Sequence, residues 1–326
     1  MSVSVVVPVW NGRALLARLL DTLAAQTLPP LEILAVDNGS TDGASALAEA
    51  RGARVIFMGR NAGFAAAVNR GIREARGEWV AILNSDVELS PDYLALLAAR
   101  GAPFATGRIL NRDGSSLDAT FDAVARSACA WRVASGCPDG PLFAEPRAIA
   151  SPPLTAALFR AELFRKVGYL EESFESYLED VDFGLRLAAA RISGVYEPRA
   201  IARHYGSASL GRWHPEIVRR ISRNQLWLAA RHFPAPVLRR CAWPILVGQL
   251  LWGAVALRHF TFLAWLRGKW QGLSGFSAAR RAAPQSDLNV LDLLRRNERV
   301  IYETQSVTGF DPYWRLYFLL TRGGAK

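Results

Sequence analysis

The chain has 326 residues, of which 51% are hydrophobic and 21% are charged. This length and composition exclude a disordered or collagen-like chain, and the core is large enough to fold without a disulfide or a metal. The net charge is +10. Residues 1–215 contain 22 Lys and Arg against 23 Asp and Glu, whereas residues 216–326 contain 17 against 6, with six of the ten tryptophans. We therefore predict two domains, 1–215 and 216–326.

Cysteine is sparse, with Cys129, Cys137 and Cys241 and no C-x-x-C pair. This excludes a disulfide scaffold and a thiolate zinc site and suits a reducing cytosol. The first apolar run, residues 3–9, has no basic residues before it, so we expect a strand there and no secretory signal.

The first hundred residues alternate short apolar runs with stretches at helical spacing. Strands are predicted at residues 3–9, 32–36, 54–58 and 79–83. Helices are predicted at residues 13–26, in a short segment ending near 51, at 61–76, and from Pro91 onwards. Strands separated by helices of this length pair in parallel through right-handed crossovers, so we expect an α/β fold with a mostly parallel central sheet.

Polar residues follow each predicted strand, namely Asn11, Asp37, Asn61 and Asp86. Ligands bind beyond the carboxyl ends of strands in such sheets, so these residues indicate a binding site. Neither G-x-G-x-x-G nor G-x-x-x-x-G-K-[ST] follows any strand, which argues against a dinucleotide site of the Rossmann type and against a P-loop.

Each polar residue also has a structural alternative. Asp37 could accept a hydrogen bond from a nucleobase or a ribose, and Ser40, Thr41 and Asp42 could instead cap the next helix. Asn69 and Arg73 share a helix face that could meet a ligand or solvent. Asp86 is either a turn residue or a ligand for a divalent cation, because a cation on a diphosphate needs only one or two carboxylates.

Three acids, Glu179, Asp180 and Asp182, lie within four residues. They are either solvated acids at a helix start, where the macrodipole favours them, or part of a catalytic site. His204 follows an apolar run and is either a core histidine or a metal ligand.

Together, several short runs resemble, in order and spacing, the family 2 glycosyltransferases of the GT-A fold. The resemblance covers about residues 3–207. The runs are VVPVWN at 6–11, VDNGSTD at 36–42, NAGF at 61–64 with Asn69, LNSD at 83–86, VGYLEESF at 167–174, EDVD at 179–182 and RH at 203–204.

The resemblance implies a site for a nucleoside-diphosphate sugar. Asp37 would contact the base, and Asn84-Ser85-Asp86 occupies the position of the family's D-x-D motif, with Asn in place of the first Asp. Asp86 is then the carboxylate ligand of Mn²⁺ or Mg²⁺, and His204 completes the metal site. The donor site would also include Pro8, Asn11, Ser40, Arg60, Asn61, Gly63, Asn69, Asn84 and Ser85.

Asp180 matches the catalytic base of inverting members, with Glu179 and Asp182 supporting it or contacting acceptor hydroxyls. The resemblance thus implies a metal-dependent inverting glycosyltransferase of the rhamnosyltransferase-like group. The expected donor is a dTDP- or UDP-linked sugar, and the expected acceptor is a glycan or a polyprenol-diphosphate-linked sugar in cell-surface polysaccharide synthesis.

Three alternatives are weaker. A processive polysaccharide synthase would carry a Q-x-x-R-W motif and several membrane spans, and neither is found. A catalytically inactive GT-A scaffold is disfavoured by the acidic segment and by Asp86. A sugar-1-phosphate nucleotidyltransferase would need a glycine-rich basic loop after the first strand, where residues 10–13 offer a poor substitute.

In the last third of the chain, residues 216–326, the sequence pattern predicts a helical module with a basic, tryptophan-rich surface. Residues 241–257 carry no charge but are short for a membrane span. Arginines and Lys269 alternate here with Trp243, Trp252, Trp265 and Trp270. This pattern favours a helix pair at an anionic membrane surface, and the alternative is packing on the catalytic domain. No nucleic-acid motif accompanies the charge. We expect a cytoplasmic protein, peripheral on the inner face of the cell membrane.

Overall fold

The structure is a computed structural model that describes residues 1–206, 211, 213–283 and 289–322. The chain divides into two compact units, Met1–Phe121 with Ala134–Ser209, and Asp122–Val133 with Leu210–Lys326. The first unit is α/β, and the second is mainly helical. The predicted boundary at residue 215 did not anticipate that Asp122–Val133 belongs with the later residues.

Strands and helices have the following bounds. The strands are β1 (Val3–Val9), β2 (Glu32–Asp37), β3 (Arg54–Phe57), β4 (Trp79–Leu83), β5 (Val87–Leu89), β6 (Phe104–Leu110), β7 (Leu117–Ala119), β8 (Asp122–Val124), β9 (Ala130–Arg132), β10 (Arg147–Ile149), β11 (Ala156–Arg160) and β12 (Gly194–His204). The helices are α1 (Arg13–Ala24), α2 (Ala44–Ala50), α3 (Phe64–Glu74), α4 (Tyr93–Ala99), α5 (Glu162–Val167), α6 (Glu179–Ala189), α7 (Pro215–His232), α8 (Ala235–Arg258), α9 (Phe262–Ser274), α10 (Phe276–Arg281), α11 (Val290–Thr308) and α12 (Pro312–Thr321).

The central sheet has the strand order β10-β12-β6-β11-β4-β1-β2-β3. Strands β4, β1, β2 and β3 are mutually parallel, as predicted. Strand β11 runs antiparallel to both β4 and β6, and β12 is parallel to β6. It follows that the carboxyl ends of β12 and β4 lie at the same edge of the sheet as those of β1 to β3.

The core of the first unit lies on both faces of this sheet. Val5, Val6 and Val7 of β1 are fully buried, although they point alternately to opposite faces. Each fully buried valine of this kind stabilises the fold by about 1.5–3 kcal/mol. On one face, α3 comes so close that a Cβ at Gly71 would lie 2.3 Å from Val6 Cγ1, so glycine is required there.

The second unit joins the β8–β9 hairpin to helices α7 to α12. Arg126 Nε donates to Glu298 Oε2 at 2.7 Å, and Tyr317 Oη donates to Glu298 Oε1 at 2.6 Å. Trp131 also contacts the ring of Trp314. These contacts explain why residues 122–133 belong with the helices.

Helices α7, α8 and α9 meet around the buried amine of Lys269. Its Nζ donates to Ser222 O at 2.8 Å, to Gln225 Oε1 at 2.9 Å and to Gln249 Oε1. Burial lowers the pKa of Lys269 to about 7. Because Lys269 is buried, it does not contribute to the basic surface that the sequence pattern predicted.

The apolar residues 241–257 lie inside α8, which continues through Pro244. Within the part of the chain that the structure describes, α8 is the helix long and apolar enough to cross a membrane by length and composition alone. One face of α8 is buried and carries Gln249, whose Nε2 donates to Ser127 O at 2.8 Å.

Candidate active site

The loops after β1 and β2 form a hydrogen-bonded cluster at the carboxyl edge of the sheet. Asp37, which is buried, accepts a hydrogen bond from Ser40 N at 2.8 Å. Asn11 N donates to Ser40 Oγ at 2.9 Å, and Asn11 Oδ1 accepts from Thr41 N at 2.9 Å. Asp42, one of the three predicted capping residues, accepts hydrogen bonds from Arg13 N and Ala44 N, the first residues of α1 and α2. The structure thus brings Asn11, Asp37 and Ser40 together.

Pro8 and Arg60 belong to the same edge of the sheet. Pro8 is half-buried in β1 and pairs with Val36 of β2. The Arg60 side chain is exposed, and the Arg60 backbone packs so closely on Gly39 that a Cβ there would lie 3.1 Å from Arg60 C. Gly39 has φ +88°, so glycine suits both its conformation and this contact.

Asn38 organises the loop that precedes α3, and sequence reasoning missed this residue. Its Nδ2 donates to Asn61 Oδ1 and to Gly63 O, each at 3.1 Å, and its Oδ1 accepts from Ala62 N at 2.8 Å. Gly63 has φ +92°, and a Cβ there would lie 2.8 Å from Glu175 O. Asn38 adjoins Asp37 in the sequence, and this was the signal that could have identified it.

Asn69 has a different set of partners from the other predicted donor residues. Its Nδ2 donates to Leu170 O at 2.8 Å and to Glu172 Oε1 at 2.9 Å, and its Oδ1 accepts from Leu170 N at 2.9 Å. The buried amide therefore fastens the loop at Leu170 onto α3. Its predicted role in donor binding stays a prediction.

Asp86 and His204 meet where β4 and β12 end. His204 Nε2 lies 3.1 Å from Asp86 Oδ1, and His204 Nδ1 lies 2.9 Å from Asp118 Oδ2. Burial of the ring acts to lower the pKa of His204, but the hydrogen bonds to Asp118 and Asp86 outweigh it and raise the pKa to about 9. The two predicted metal ligands are thus adjacent in space, although they are far apart in sequence.

Sequence reasoning missed Asp118. It lies in the three-residue strand β7, whose sequence contains no apolar run that would predict a strand. Leu117 and Ala119 on either side are buried, so Asp118 faces the opposite side of the sheet. Strand β7 pairs with β6, which is the neighbour of β12, and this pairing brings Asp118 to His204.

The residues at this edge fit a divalent metal ion bound to a diphosphate. Ligands about 2.1 Å from an octahedral ion lie about 3 Å apart when adjacent, close to the observed 3.1 Å between Asp86 and His204. Asn84 Oδ1, at the first position of the N-S-D motif, is buried and has no hydrogen-bond partner among the described residues. No group of three His, Cys, Asp or Glu in the described chain forms a metal cage by itself, so phosphate oxygens and water would complete the shell.

A cavity of about 430 Å³ adjoins His204 on its Asp118 side. It lies between the loop that joins β6 to β7 and the end of β12, and Arg112, Asp113 and Tyr205 contribute to its lining. Tyr205 is held by its hydroxyl, which donates to Glu88 Oε1 at 2.9 Å, and by its backbone N, which donates to Asp86 O at 2.9 Å. The cavity therefore lies beside the His204 ring and next to a tyrosine that is held in place.

The three acids of α6 are buried, so they are not the solvated acids of an ordinary helix start. Asp182 is fully buried and accepts from Arg186 Nε at 3.0 Å. The same guanidinium donates to Val167 O and Tyr169 O, at 2.6 and 2.8 Å. Asp182 thus holds a structural ion pair, and a catalytic role for Glu179, Asp180 or Asp182 stays a prediction.

The backbone just before α6 adopts rare conformations. Glu175, Tyr177 and Leu178 have φ values of 61°, 73° and 69°, in the left-handed region that non-glycine residues avoid. Strain of this kind persists only where the surrounding structure enforces it, and it occurs preferentially at functional sites. The segment leads directly into Glu179 and Asp180.

Comparison with known proteins agrees with this geometry. The sequence profile of glycosyl transferase family 2 matches residues 4–168, half of the chain. An N-acetylglucosaminyl-diphospho-decaprenol L-rhamnosyltransferase of Mycobacterium tuberculosis is 31% identical over 226 residues, covering 60% of this chain and 74% of that protein. The succinoglycan biosynthesis protein ExoO of Rhizobium meliloti is 35% identical over 124 residues, covering 35% of this chain and 36% of that protein.

Solved structures of glycosyltransferases share the fold. GalNAc-T7 with UDP, GalNAc and Mn²⁺ superposes with a TM-score of 0.58 at 14% identity, covering 86% of this chain and 57% of that chain. The mannosyltransferase PcManGT from Pyrobaculum calidifontis, in complex with GDP-Man and Mn²⁺, gives a TM-score of 0.51 at 19% identity. This superposition covers 98% of this chain and 85% of that chain. The predicted GT-A fold is confirmed, and the chain belongs to glycosyl transferase family 2.

Proposed function

We propose that this glycosyltransferase is metal-dependent, inverts the anomeric configuration, and uses a nucleoside-diphosphate sugar as donor. The observation that carries the proposal is the approach of Asp86 and His204 to 3.1 Å at the edge of the sheet that also holds Asp37. A base site near Asp37 and a metal site at Asp86 would bind the two ends of a nucleoside diphosphate.

Donor binding involves the loops around the strand ends. Asp37, fixed through Ser40 and Asn11, accepts a hydrogen bond from the base or ribose. The exposed guanidinium of Arg60 contacts the nucleotide, and Pro8, Asn61 and Gly63 shape the pocket. Asn84 Oδ1 and Ser85 adjoin the diphosphate. When bound, Mn²⁺ or Mg²⁺ held by Asp86 and His204 neutralises the negative charge of the diphosphate.

Transfer requires a base for the acceptor, and we assign this role to Asp180. Its carboxylate takes the proton of the acceptor hydroxyl while that oxygen bonds to the anomeric carbon of the donor sugar. The bond between the anomeric carbon and the diphosphate oxygen breaks on the opposite face, and the nucleoside diphosphate leaves with the electron pair. One displacement of this kind inverts the configuration. Glu179 supports the base, and Asp182 holds Arg186 and the loop before α6.

The donor sugar and the acceptor are inferred from the mycobacterial relative, which its name describes as an L-rhamnosyltransferase acting on N-acetylglucosaminyl-diphospho-decaprenol. We infer a deoxyhexosyl donor linked to dTDP or UDP, with rhamnose as the first candidate, and a polyprenol-diphosphate-linked acceptor. Such an acceptor would place the reaction in cell-surface polysaccharide synthesis at the inner face of the cell membrane.

The second unit would attach the enzyme to that membrane. On α8, Trp243, Leu246, Leu250 and Leu257 are exposed at helical spacing. On α9 the exposed apolar residues are Leu263, Leu266, Trp270 and Leu273, and on α12 they are Leu316, Leu319 and Leu320. Apolar stripes on these three helices exceed the scattered exposure of ordinary soluble surfaces.

Charge supports an anionic lipid surface as the partner. Arg239 and Arg240 precede the exposed stripe of α8, and Arg258 and Arg267 lie near the turn between α8 and α9, all of them exposed. Phe260 in that turn is 98% exposed. We propose that α8 lies in the membrane interface and does not span the bilayer, because Gln249 on its inner face is bound to Lys269 and Ser127.

The test is a transfer assay with the full chain, Mn²⁺, a panel of nucleotide sugars and a synthetic polyprenol-diphosphate-N-acetylglucosamine. We expect transfer from one donor, loss of transfer with a chelator, and a product anomer opposite to that of the donor by NMR. A product that retains the donor configuration would refute the inverting mechanism. Donor binding with neither transfer nor hydrolysis would favour an inactive scaffold.

A further inference from the structure

We propose that Asp118 is a positioning residue that orients the His204 ring toward the divalent metal ion. The inference rests on the metal site of the proposed function and adds to it a residue outside every motif of the resemblance. Its basis is the different partner of each ring nitrogen: Nδ1 lies 2.9 Å from Asp118 Oδ2, and Nε2 lies 3.1 Å from Asp86 Oδ1.

This arrangement determines which nitrogen is available to a metal. A neutral imidazole has one N–H and one lone pair, and an ionised carboxylate can only accept a hydrogen bond. Asp118 therefore keeps the proton of the neutral ring on Nδ1. The lone pair then lies on Nε2, on the side of Asp86. A carboxylate behind a metal-bound histidine commonly fixes the ring in this way.

The sheet fixes Asp118 independently of any ligand. Strands β6 and β7 are antiparallel, and the register shifts between Ile109 and Leu110 of β6. Leu110 in turn pairs with Arg203, the residue before His204. Burial of Leu117 and Ala119 anchors the short strand on either side of Asp118. The paired and buried backbone of β7 thus holds Asp118 in place for its hydrogen bond to His204, as a positioning role requires.

A general electrostatic effect is the competing explanation, and the chain provides a matched control for it. Asp113 lies in the loop between β6 and β7 and lines the same cavity as Asp118 and His204. Its Oδ1 accepts from Ser115 N at 2.8 Å. Removal of the Asp113 charge changes the field of the cavity but leaves the hydrogen bond to His204 Nδ1 intact.

The experiment compares Mn²⁺ binding by the full-length wild type, Asp118→Asn, Asp118→Glu and Asp113→Asn, by calorimetry with UDP or dTDP present. We expect Asp118→Asn to bind Mn²⁺ about 10- to 100-fold more weakly, the usual cost of losing such a partner. Asp113→Asn should bind like the wild type, and Asp118→Glu, which can still accept from Nδ1–H, should recover part of the loss.

A second measurement follows the ring itself. The chain has four histidines, so ¹⁵N NMR with a His204→Gln reference can assign His204 in the Mg²⁺–nucleotide complex. In the wild type we expect the proton on Nδ1. In Asp118→Asn the amide can donate to Nδ1, so the proton should move to Nε2 in a fraction of the molecules. A folding defect alone would not produce this signature.

The outcomes separate this inference from the proposed function. If Asp118→Asn binds Mn²⁺ as tightly as the wild type while Asp86→Ala does not, the metal site stands and the positioning role is refuted. Equal losses in Asp118→Asn and Asp113→Asn would show a field effect and would also refute it. If the wild type binds no Mn²⁺ with either nucleotide, the metal site itself is refuted, and the role of Asp118 with it.

Discussion

Two ionisable side chains with little solvent exposure have pKa values that are shifted in opposite directions. One is His204, at the sheet edge of the first unit, and the other is Lys269, among the helices of the second. His204 lies between the carboxylates of Asp86 and Asp118, and these raise its pKa to about 9. Lys269 meets the neutral oxygens of Ser222, Gln225 and Gln249, and burial lowers its pKa to about 7. The first region therefore carries negative charge that attracts a cation, whereas burial around Lys269 disfavours the charged form of its amine.

The two units also differ in how exposed apolar side chains are arranged on their surfaces. Exposed large apolar side chains of the first unit, such as Leu31 and Phe57, are scattered. Those of the second unit recur at helical spacing, as Leu263, Leu266 and Trp270 do on α9. Scattered residues need no explanation, but a repeated stripe indicates an apolar partner. This difference supports the proposal that the first unit binds the polar substrate groups and that the second contacts a lipid surface.

The largest expected effect concerns the chemistry of the first unit. Asp180→Asn should keep its affinity for donor and metal but lose about 10²-fold or more in the rate of transfer, because it removes the proposed general base. Steady-state kinetics and donor binding measure the two quantities separately. Glu145→Gln, the same change at an exposed site of the same unit, serves as control.

Two results would change this assignment. Equal losses of donor binding and of turnover would show that Asp180 is structural. A greater loss of turnover in Asp182→Asn, with its fold intact by circular dichroism, would move the base to Asp182, in spite of its ion pair with Arg186.

The second prediction tests whether the negative charge at the sheet edge serves a metal. Asp86→Ala and His204→Ala should each weaken Mn²⁺-dependent binding of UDP or dTDP by at least the roughly 10- to 100-fold expected for Asp118→Asn, since losing a proposed ligand costs no less than losing its orienting partner. Asp86→Ala should be the more damaging change, because a carboxylate supplies charge as well as a ligand. Calorimetry with and without Mn²⁺ measures this.

The matched control is Asp139→Ala, which removes a carboxylate paired with Arg108 in the same unit. It should bind the nucleotide with Mn²⁺ as the wild type does. Unchanged Mn²⁺ affinity in His204→Ala would remove the histidine from the metal site and leave Asp86 alone.

The third prediction concerns the apolar stripes of the second unit. The full chain should float with anionic vesicles, and Leu263→Glu combined with Trp270→Glu should reduce the bound fraction several-fold. Part of the wild-type binding should fall as salt rises, because each surface arginine contributes on the order of 1 kcal/mol near anionic lipid. The apolar part should persist at a Debye length of about 8 Å.

Leu31→Glu combined with Phe57→Glu makes the same change on the first unit and should float like the wild type. No flotation of the wild type at low salt would refute the membrane partner. Release only by detergent, at any salt, would show that α8 spans the bilayer.

The sequence predicted the part of the fold that depends on local patterns. The parallel strands β1 to β4 follow from apolar runs between helical stretches, and their predicted bounds agree with the structure to within a residue. The antiparallel strands β5 to β7, β10 and β11 were not predicted. Most of them span only three residues, which is too short for alternation to be visible, and their pairing depends on distant partners.

The same limit applies to the site. Asp86 and His204 were identified because they lie in motifs, whereas Asp118 lies outside every motif and reaches His204 through a contact that only the folded sheet creates. Asn38 lies in a motif, but its hydrogen bonds to the loop before α3 were not predicted. Of the four tryptophans named in the prediction for the second unit, two lie on its surface. Trp243 and Trp270 are exposed, but Trp252 donates to Ser222 Oγ at 3.0 Å and Trp265 packs on Gly253. Composition cannot distinguish a tryptophan that lies on the surface from one that packs between helices.

The smallest expected effect sharpens the comparison between His204 and Lys269. In the unfolded chain Lys269 has the ordinary lysine pKa of about 10.4, whereas in the folded protein it is about 7. Between these values the unfolded state binds the extra proton, so the contribution of Lys269 to the free energy of unfolding rises with pH by about 1.4 kcal/mol per unit. Below pH 7 both states are protonated, and the contribution becomes constant at its least favourable value.

The difference in free energy of unfolding between the wild type and Lys269→Met, measured by denaturant titration from pH 6 to 9, isolates this term, because other titrating groups are common to both proteins. We expect a flat difference below pH 7 and a rise in favour of the wild type above it. The exposed Arg267→Met should show no such slope. A flat difference over the whole range would mean that Lys269 stays charged in the folded protein, and its surroundings would then tolerate a positive charge as those of His204 do.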